Sequence, residues 1–194
     1  VLQVLTVGRR NVINGSCRFM GHDAVEIDFV MPWVDGSDPA WREEFLKYRA
    51  LQAPQGEPAC DTGTAAGAVD ASEERYRDWD TLRYWFRGVE RFAPWVNRIH
   101  FITWGHLPAW LDTAHPKLHV VRHADYIPSP YLPTFNSCPI ELNMHRIEGL
   151  AEHFVYFNDD TFLCRPVGPE RFFLNGLPRD AARLAVIPAA RAGH

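Results

Sequence analysis

Apolar and polar positions along the chain follow two periods, which predict strands separated by helices. Four short apolar runs have the length and composition of buried strands: residues 25–30, 98–103, 118–121 and 154–157. Apolar side chains recur at helical spacing in three other segments: after Pro39, over residues 78–92 and over residues 140–147. Strands that alternate with helices, and that end at polar residues, predict an α/β fold with a largely parallel sheet.

Two stretches carry neither period, and we expect them to lie outside the core. Residues 1–24 contain turn-forming residues, so we interpret them as a loosely attached lead-in that could add an edge strand. Residues 52–72 consist mainly of Ala, Gly, Pro, Thr and acidic residues, with Val69 as the only large apolar side chain. This composition is typical of a flexible insertion. The sequence therefore predicts one folded domain over residues 25–194.

Composition narrows the class of protein. The 194 residues are 46% hydrophobic and include 12 Phe, 7 Trp and 6 Tyr, which fits one packed domain. The net charge of −4 argues against a protein that grips nucleic acid. No apolar stretch approaches the roughly 20 residues of a membrane-spanning helix, and the apolar start is too short for a signal peptide. The four cysteines are widely spaced, which favours a reducing compartment over a zinc site or a disulfide framework.

Polar clusters directly follow two of the predicted strands. Residues 33–38 read WVDGSD after the first strand, and residues 158–160 read NDD after the last one. In open α/β sheets ligands bind at the carboxyl ends of strands, so both clusters are predicted to face one crevice. Adjacent carboxylates repel each other unless a cation lies between them, and oxygen ligands suit Mg²⁺ or Mn²⁺ held together with substrate phosphates. An ordinary turn followed by a helix cap explains each cluster equally well.

A third cluster lies on the predicted helix of residues 140–147. Glu141 and His145 are four residues apart, so on a helix they share one face and could form an acid–imidazole pair. Such a pair would raise the pKa of His145 and orient it as a general base. The alternative is a solvated helix face with an incidental pair.

The predicted helix of residues 78–92 offers a phosphate site at its start. Arg77 precedes this helix, and Asp78 or Asp80 could cap it. The alternative is capping plus a surface ion pair. His115, His119 and His123 are also spaced by four, but a strand would stretch them apart, so we do not expect a metal site there.

Two sets of motifs resemble the first two conserved blocks of the Stealth family of sugar-phosphate transferases. Residues 28–39, DFVMPWVDGSDP, are similar to the first block. A series of short motifs in this chain resembles the second block: RDWDTLRY at 77–84, APW at 93–95, PAWL at 108–111, LPTFNS at 132–137, HRI at 145–147 and YFNDD at 156–160. The family includes bacterial capsule polymerases and the animal N-acetylglucosamine-1-phosphotransferase. The resemblance covers about 130 residues and no later block, so we expect the domain of residues 25–194 to be incomplete at its C-terminus.

The resemblance implies a glycosyltransferase-A-like (Rossmann-like) three-layer α/β core and a specific reaction. A hexose-1-phosphate would move from a nucleotide-diphosphate sugar, expected to be UDP-linked, to a glycan hydroxyl, and nucleoside monophosphate would be released. The setting would be capsule or exopolysaccharide synthesis in the bacterial cytoplasm or at the membrane periphery. Two alternatives stay open: a metal-dependent glycosyltransferase that releases nucleoside diphosphate, and a truncated module that binds a nucleotide sugar without turnover.

The resemblance also implies roles for individual residues. A donor-binding set is expected: Trp33, Val34, Asp35, Gly36, Ser37, Asp38, Arg77, Asp78 and Asn158. A catalytic set is expected around the reacting phosphate: Asp35, Asn136, Glu141, His145 and Arg146. Asp159 and Asp160 are expected to hold the Mg²⁺ or Mn²⁺ ion. The partners would be the nucleotide sugar and a glycan acceptor, not nucleic acid.

Overall fold

The computed structural model of the protein describes residues 3–6, 25–52 and 76–179. The strands lie in the following ranges: β1 Gln3–Thr6, β2 Ile27–Pro32, β3 Ile99–Thr103, β4 Leu118–Arg122, β5 His153–Tyr156, β6 Phe173–Leu174 and β7 Leu177–Pro178. The α-helices are α1 Pro39–Gln52, α2 Leu82–Phe92, α3 His123–Tyr126 and α4 Ser137–Leu142. No helix in these described ranges is long and apolar enough to cross a membrane.

Five of these strands form one sheet in the order β1-β5-β2-β3-β4. Strands β5, β2, β3 and β4 run parallel to one another, and β1 pairs antiparallel with β5 at the edge. The prediction of an α/β fold with a mostly parallel sheet is therefore confirmed. The edge strand suggested for the lead-in is β1, and the rest of residues 1–24 lies outside the described residues.

The strand order creates a crevice between β2 and β5. Counted along the chain, the four parallel strands occupy the spatial order fourth, first, second, third. The chain leaves β2 toward β3 on one side, whereas β5 pairs with β2 on the other side. Ligands of open α/β sheets bind outside the carboxyl ends of the strands at such a switch point. The two predicted polar clusters follow these two strands.

Both faces of the sheet are buried, as a parallel sheet requires. On one face, Phe29 and Met31 of β2 pack against Trp85 and Val89 of α2 in one apolar cluster. The opposite face carries a second cluster of buried residues: Val30, Ile102, Val121, Tyr126, Ile127, Met144, Ile147, Phe154 and Tyr156. These two cores fix the strands, and with them the loops that follow their carboxyl ends.

A buried polar network stabilises the amino end of the sheet. Asp28 is fully buried, and its carboxylate accepts hydrogen bonds from the side chain of Asn97 and the main-chain N–H of Ala151, each at 2.8 Å. Nε2 of His100 lies 2.9 Å from the same carboxylate, and Nδ1 of His100 lies 3.0 Å from Nδ1 of His119. Burial alone would raise the pKa of Asp28. The hydrogen bonds from His100, Ala151 and Asn97 together outweigh this effect, so the pKa lies below its ordinary value. The network thus links β2, β3, β4 and the segment before β5.

Helix α2 begins later than the sequence predicts. Asp78 Oδ1 accepts the main-chain N–H of Asp80 at 3.0 Å, and Asp80 adopts a positive φ of 54°. The N-cap residue is Thr81, which makes no side-chain capping bond. Capping by Asp78 or Asp80 is therefore wrong, because Thr81 occupies the N-cap position and the left-handed Asp80 lies before it.

The helix predicted over residues 140–147 is also shifted. Asn136 Oδ1 accepts the N–H of Cys138 and starts α4 at Ser137. The helix ends at Leu142, and a separate 3₁₀ turn covers Met144–Arg146. Of the predicted insertion 52–72, only Gln52 is described, as the last residue of α1.

Candidate active site

Three adjoining cavities occupy the carboxyl end of the sheet. The arginine cavity, about 410 Å³, lies between the loop after β2 and helix α1, and its lining includes Asp35, Gly36, Ser37, Arg42, Arg49 and Tyr76. The central cavity, about 180 Å³, is lined by residues that include Trp33, Val34, His123, Tyr156, Asn158 and Asp159. The carboxylate cavity, about 370 Å³, is lined by residues that include Trp33, Arg77, Asp78, Thr81, Asp159 and Asp160. Shared lining residues make the three cavities one crevice, so both acidic clusters face the same space.

The loop after β2 is anchored by an aromatic contact and a hydrogen bond. Trp33 is buried and stacks on Phe101, with ring centroids 5.7 Å apart. The main-chain N–H of Asp35 donates to Nε2 of His106 at 2.8 Å. Asp35 Oδ1 accepts the N–H of Ser37 at 2.8 Å and its hydroxyl at 2.6 Å. The turn is thus fixed by its own side chains before any ligand binds.

The loop after β2 contains both a helix cap and residues that line a cavity, so each of the two interpretations of residues 33–38 describes part of it. Asp38 Oδ1 accepts the N–H of Trp41 at 2.8 Å, so Asp38 is the cap of α1. Asp35, Gly36 and Ser37 line the arginine cavity instead.

Gly36 allows the two halves of the arginine cavity to approach each other. Its N–H donates to the carbonyl oxygen of Tyr76 at 2.7 Å. A Cβ atom at this position would lie 2.5 Å from that oxygen, closer than van der Waals contact permits. Glycine therefore brings Arg77 and Asp78, which follow Tyr76, against the loop after β2.

Three carboxylates give the carboxylate cavity its charge. Asp159 and Asp160 follow β5, and Asp78 reaches the cavity from the segment before α2. Desolvation by the surrounding protein and the nearby charges of Asp160 and Asp78 raise the pKa of Asp159. Within the described ranges, no group of three or more His, Cys, Asp or Glu side chains is assembled as a ready metal site. One or two carboxylates completed by substrate phosphates are the usual arrangement for Mg²⁺, and Asp159 with Asp160 fits that chemistry.

The third predicted cluster is not assembled as a pair. Glu141 accepts a hydrogen bond from the hydroxyl of Tyr156 at 3.2 Å, and Tyr156 lines the central cavity. The exposed His145 donates from Nδ1 to the carbonyl oxygen of Leu142 at 3.0 Å. The predicted Glu141–His145 pair is wrong because α4 ends between the two residues. Arg146 is exposed beside His145, and Asn136 is occupied as the cap of α4.

The structure adds two histidines that the sequence analysis did not place in the site. His123 follows the carboxyl end of β4, is only 8% exposed and lines the central cavity. Burial, with a smaller contribution from His106, lowers the pKa of His123 to about 4, so its ring is neutral near pH 7. His106 follows β3 and accepts at Nε2, which places its proton on Nδ1. Both histidines could have been found from the sequence, because ligands of open α/β sheets bind at the carboxyl ends of strands and each histidine follows such a strand end.

Comparison with known proteins identifies the family. Residues 25–51 match Stealth protein CR1, conserved region 1, and residues 75–180 match Stealth protein CR2, conserved region 2. The chain is 54% identical over 153 residues to the capsular polysaccharide phosphotransferase WcwK of Streptococcus pneumoniae, covering 79% of this chain and 43% of that protein.

Two further relatives extend the match. The receptor polysaccharide phosphotransferase WefC of Streptococcus oralis is 46% identical over 175 residues, covering 87% of this chain and 48% of that protein. The capsular polysaccharide phosphotransferase CpsJ of Streptococcus thermophilus is 46% identical over 169 residues, covering 85% and 65%. The chain spans about half the length of most of the curated relatives it matches. Two conserved regions in sequence order and this level of identity show that the chain belongs to the Stealth family, as its motifs predicted.

Proposed function

We propose that this chain carries the donor-binding part of a sugar-1-phosphate transferase that acts in bacterial surface-polysaccharide synthesis. The names of its relatives support this reaction class. The observation that carries the proposal is the crevice between β2 and β5, which joins an arginine-lined cavity to a carboxylate-lined one. A nucleotide-diphosphate sugar needs both kinds of surface, because its phosphates are anionic and its cation requires oxygen ligands.

The reaction is a phosphoryl transfer. The oxygen of an acceptor hydroxyl attacks the phosphorus that carries the sugar, and a new phosphodiester bond forms between sugar-1-phosphate and glycan. The bond from that phosphorus to the bridging oxygen of the diphosphate breaks, and the nucleoside monophosphate leaves with the bridging oxygen. The hydroxyl proton passes to a base. Such reactions depend mainly on positioning and on neutralisation of charge.

The arginine cavity is the proposed site of the donor nucleotide and its phosphates. Asp35, Gly36 and Ser37 form its preordered wall, and Arg77 borders both this cavity and the carboxylate cavity. Arg77 thus lies where a diphosphate would pass from one cavity to the other. Its guanidinium also lies 4.4 Å from the ring centroid of Trp79, a contact that limits its conformations.

Asp159 and Asp160 are the proposed ligands of Mg²⁺ or Mn²⁺. When bound, the cation would neutralise charge on the diphosphate and on the leaving phosphate. Desolvation, and then the nearby charge of Asp160, raise the pKa of Asp159, and a cation bound between these carboxylates would offset both effects.

His145 is the proposed general base. Its Nδ1–H donates to the carbonyl oxygen of Leu142, which leaves Nε2 as the ring nitrogen that accepts a proton. Glu141, in α4, accepts a hydrogen bond from the hydroxyl of Tyr156, which lines the central cavity. Replacing the His145 imidazole should lower turnover more than donor affinity.

The proposed fold assignment is the glycosyltransferase-A-like core. The strand order supports this assignment, because the four parallel strands and their switch point between β2 and β5 match the 3-2-1-4 part of the Rossmann strand order. The proposed place of the reaction is the cytoplasm or the inner membrane surface of a bacterium, where nucleotide sugars are available.

Product analysis tests the proposed function. The protein is incubated with UDP-sugar, MgCl₂ and a glycan acceptor, and UMP is resolved from UDP. The proposed transferase releases UMP in step with a phosphodiester-linked product. Stoichiometric UDP would instead indicate a glycosyltransferase that attacks the anomeric carbon. Calorimetric binding of UDP-sugar without release of any nucleotide would indicate a binding module.

A further inference from the structure

A fourth cavity, which we call the aromatic groove, lies beside the crevice and has a volume of about 550 Å³. Five aromatic side chains line it: Phe45, Tyr48, Tyr76, Tyr131 and Phe135. Pro130 and Pro133 of the segment before α4 also line it, together with Pro139 of α4.

The wall of the groove is ordered by its own contacts. The ring of Phe135 lies 5.2 Å from that of Phe45 and 5.4 Å from that of Tyr48, measured between centroids. The hydroxyl of Tyr76 donates to the carbonyl oxygen of Phe135 at 3.0 Å. This bond ties the prolyl segment, residues 128–136, to the segment before α2. The rings of Phe45, Tyr48 and Phe135 are therefore held in place by one another, and a ligand that contacts them does not have to order them first.

The groove is continuous with the reaction crevice. Tyr76, Thr134 and Phe135 line both the groove and the central cavity, where Asn158 and Asp159 lie. A molecule held along the groove can thus extend its end into the central cavity. Such an end would lie beside Asn158 and Asp159, at the crevice proposed to hold the donor.

The charged residues that line the aromatic groove indicate which kind of ligand it can bind. Among the described residues that line the groove, Arg49 is the only charged side chain and no carboxylate is present. Tyr131 is 64% exposed, although aromatic rings usually bury most of their surface. A pyranose ring has one face of C–H groups that stacks on an aromatic ring and a rim of hydroxyls that bind polar groups. Exposed aromatic faces without carboxylates therefore suit a neutral or weakly anionic glycan.

We propose that the aromatic groove binds the acceptor glycan of the transferase, with Tyr131 as a stacking platform at its outer end. This proposal rests on the proposed function for the direction of transfer. Glycan binding itself is measured without any turnover.

Binding to a glycan array tests the proposal. The probe is a set of immobilised neutral pyranose oligosaccharides of three to six units, and the labelled protein is applied with and without MgCl₂ and UDP-sugar. Tyr131→Ala removes the platform, and Tyr131→Phe keeps the ring. Tyr84→Ala is the matched control, since Tyr84 is 63% exposed but belongs to α2, outside the groove. Thermal unfolding of each variant checks that the fold is retained.

The proposal predicts binding to at least one oligosaccharide class. Tyr131→Ala should weaken this binding about tenfold, and Tyr131→Phe and Tyr84→Ala should leave it within about twofold of the original. Absence of any oligosaccharide binding overturns the proposal, as does equal loss in Tyr84→Ala or retained affinity in Tyr131→Ala. Capture of lipid vesicles or peptides in place of glycans, with the same Tyr131 dependence, would also overturn it.

The two proposals fail in different ways. If UDP-sugar yields no UMP while glycans still bind through Tyr131, the reaction assignment fails and the groove assignment stands. If UMP is released and Tyr131→Ala raises the KM of the donor instead of that of the acceptor, the groove assignment fails alone.

Discussion

The main-chain N–H of Asp35 donates a hydrogen bond to Nε2 of His106, and this 2.8 Å contact joins the loops that follow β2 and β3. The imidazole also lies edge-on to Trp33, with ring centroids 5.1 Å apart. Burial lowers the pKa of His106, although the charges of Asp38 and Asp35 oppose the shift. His106 therefore acts as a neutral acceptor that holds the loop after β2 in place.

Replacing His106 tests this role. His106→Ala leaves a part-buried N–H without an acceptor, which should cost about 1–3 kcal/mol of unfolding free energy and weaken UDP-sugar binding. In His106→Gln the amide oxygen can take the place of Nε2, so most of both losses should be recovered. Urea unfolding and calorimetric titration with UDP-sugar measure the two effects. Equal behaviour of the two variants would show that the hydrogen bond does not position the loop.

The lowered pKa of His123 predicts that the stability of the fold depends on pH. Its pKa is about 4 in the folded chain and about 6.5 when unfolded. Between these values the unfolded state binds more protons, so the free energy of unfolding rises with pH, by up to about 1.4 kcal/mol per pH unit, and is level above pH 6.5. His123→Gln should flatten this slope, as measured by urea unfolding between pH 4 and 7.

The control for His123 is a histidine outside the crevice. His115 is exposed in the loop before β4, and His115→Gln should leave the slope as it was. A slope that His123→Gln does not change would contradict the assignment of a buried, neutral imidazole in the central cavity.

The proposed role of Asp159 as a metal ligand predicts that binding of the nucleotide sugar depends on Mg²⁺. Asp159→Asn removes a proposed ligand, and the Mg²⁺-dependent part of UDP-sugar affinity should fall at least tenfold, since even outer-shell partners of metal sites are worth about 10–100-fold. Because the pKa of Asp159 is raised, binding should also weaken as pH falls through that pKa, at a higher pH than an ordinary carboxylate allows.

Glu152→Gln provides the control for this carboxylate. Glu152 is exposed and lies before β5, away from the residues that line the crevice. Titration of UDP-sugar at several MgCl₂ concentrations compares the two variants with the original. The same Mg²⁺ dependence in all three proteins would remove Asp159 from the set of metal ligands.

Asp28 is expected to govern stability and not catalysis. Asp28→Asn replaces a fully buried acceptor of three hydrogen bonds, and it should cost about 3–5 kcal/mol of unfolding free energy. The lowered pKa of Asp28 adds stability above its unfolded value of 3.8, and that stability is lost as pH falls through the folded value. Asp112→Asn, in an exposed turn, should change the unfolding midpoint little. Comparable losses in the two variants would contradict the network.

The sequence predicted the sheet well because buried parallel strands are continuous apolar runs. It also predicted that the residues following β2 and β5 face one crevice, because the carboxyl ends of parallel strands lie at the same edge of a sheet. Helix ends were less predictable, because they depend on single residues such as the left-handed Asp80 and the cap Asn136. The Glu141–His145 pair was wrong for that reason.

Long-range contacts explain why two site histidines were missed. His106 meets Asp35 across 71 positions of the chain, and no local pattern reports such a contact. His123 was considered only as one of three evenly spaced histidines. Its burial in the central cavity depends on the folding of the prolyl segment and β5 around it.

Strand β1 has a practical consequence for anyone who shortens this protein. Its backbone pairs with β5 from Gln3↔Tyr156 to Thr6↔His153, along the edge that faces away from β2. A version trimmed to begin at Val25 would uncover a row of main-chain N–H and C=O groups, and uncovered edges recruit other chains. Truncations guided by the family boundaries alone therefore risk self-association through β5, immediately beside the residues that the proposed chemistry needs.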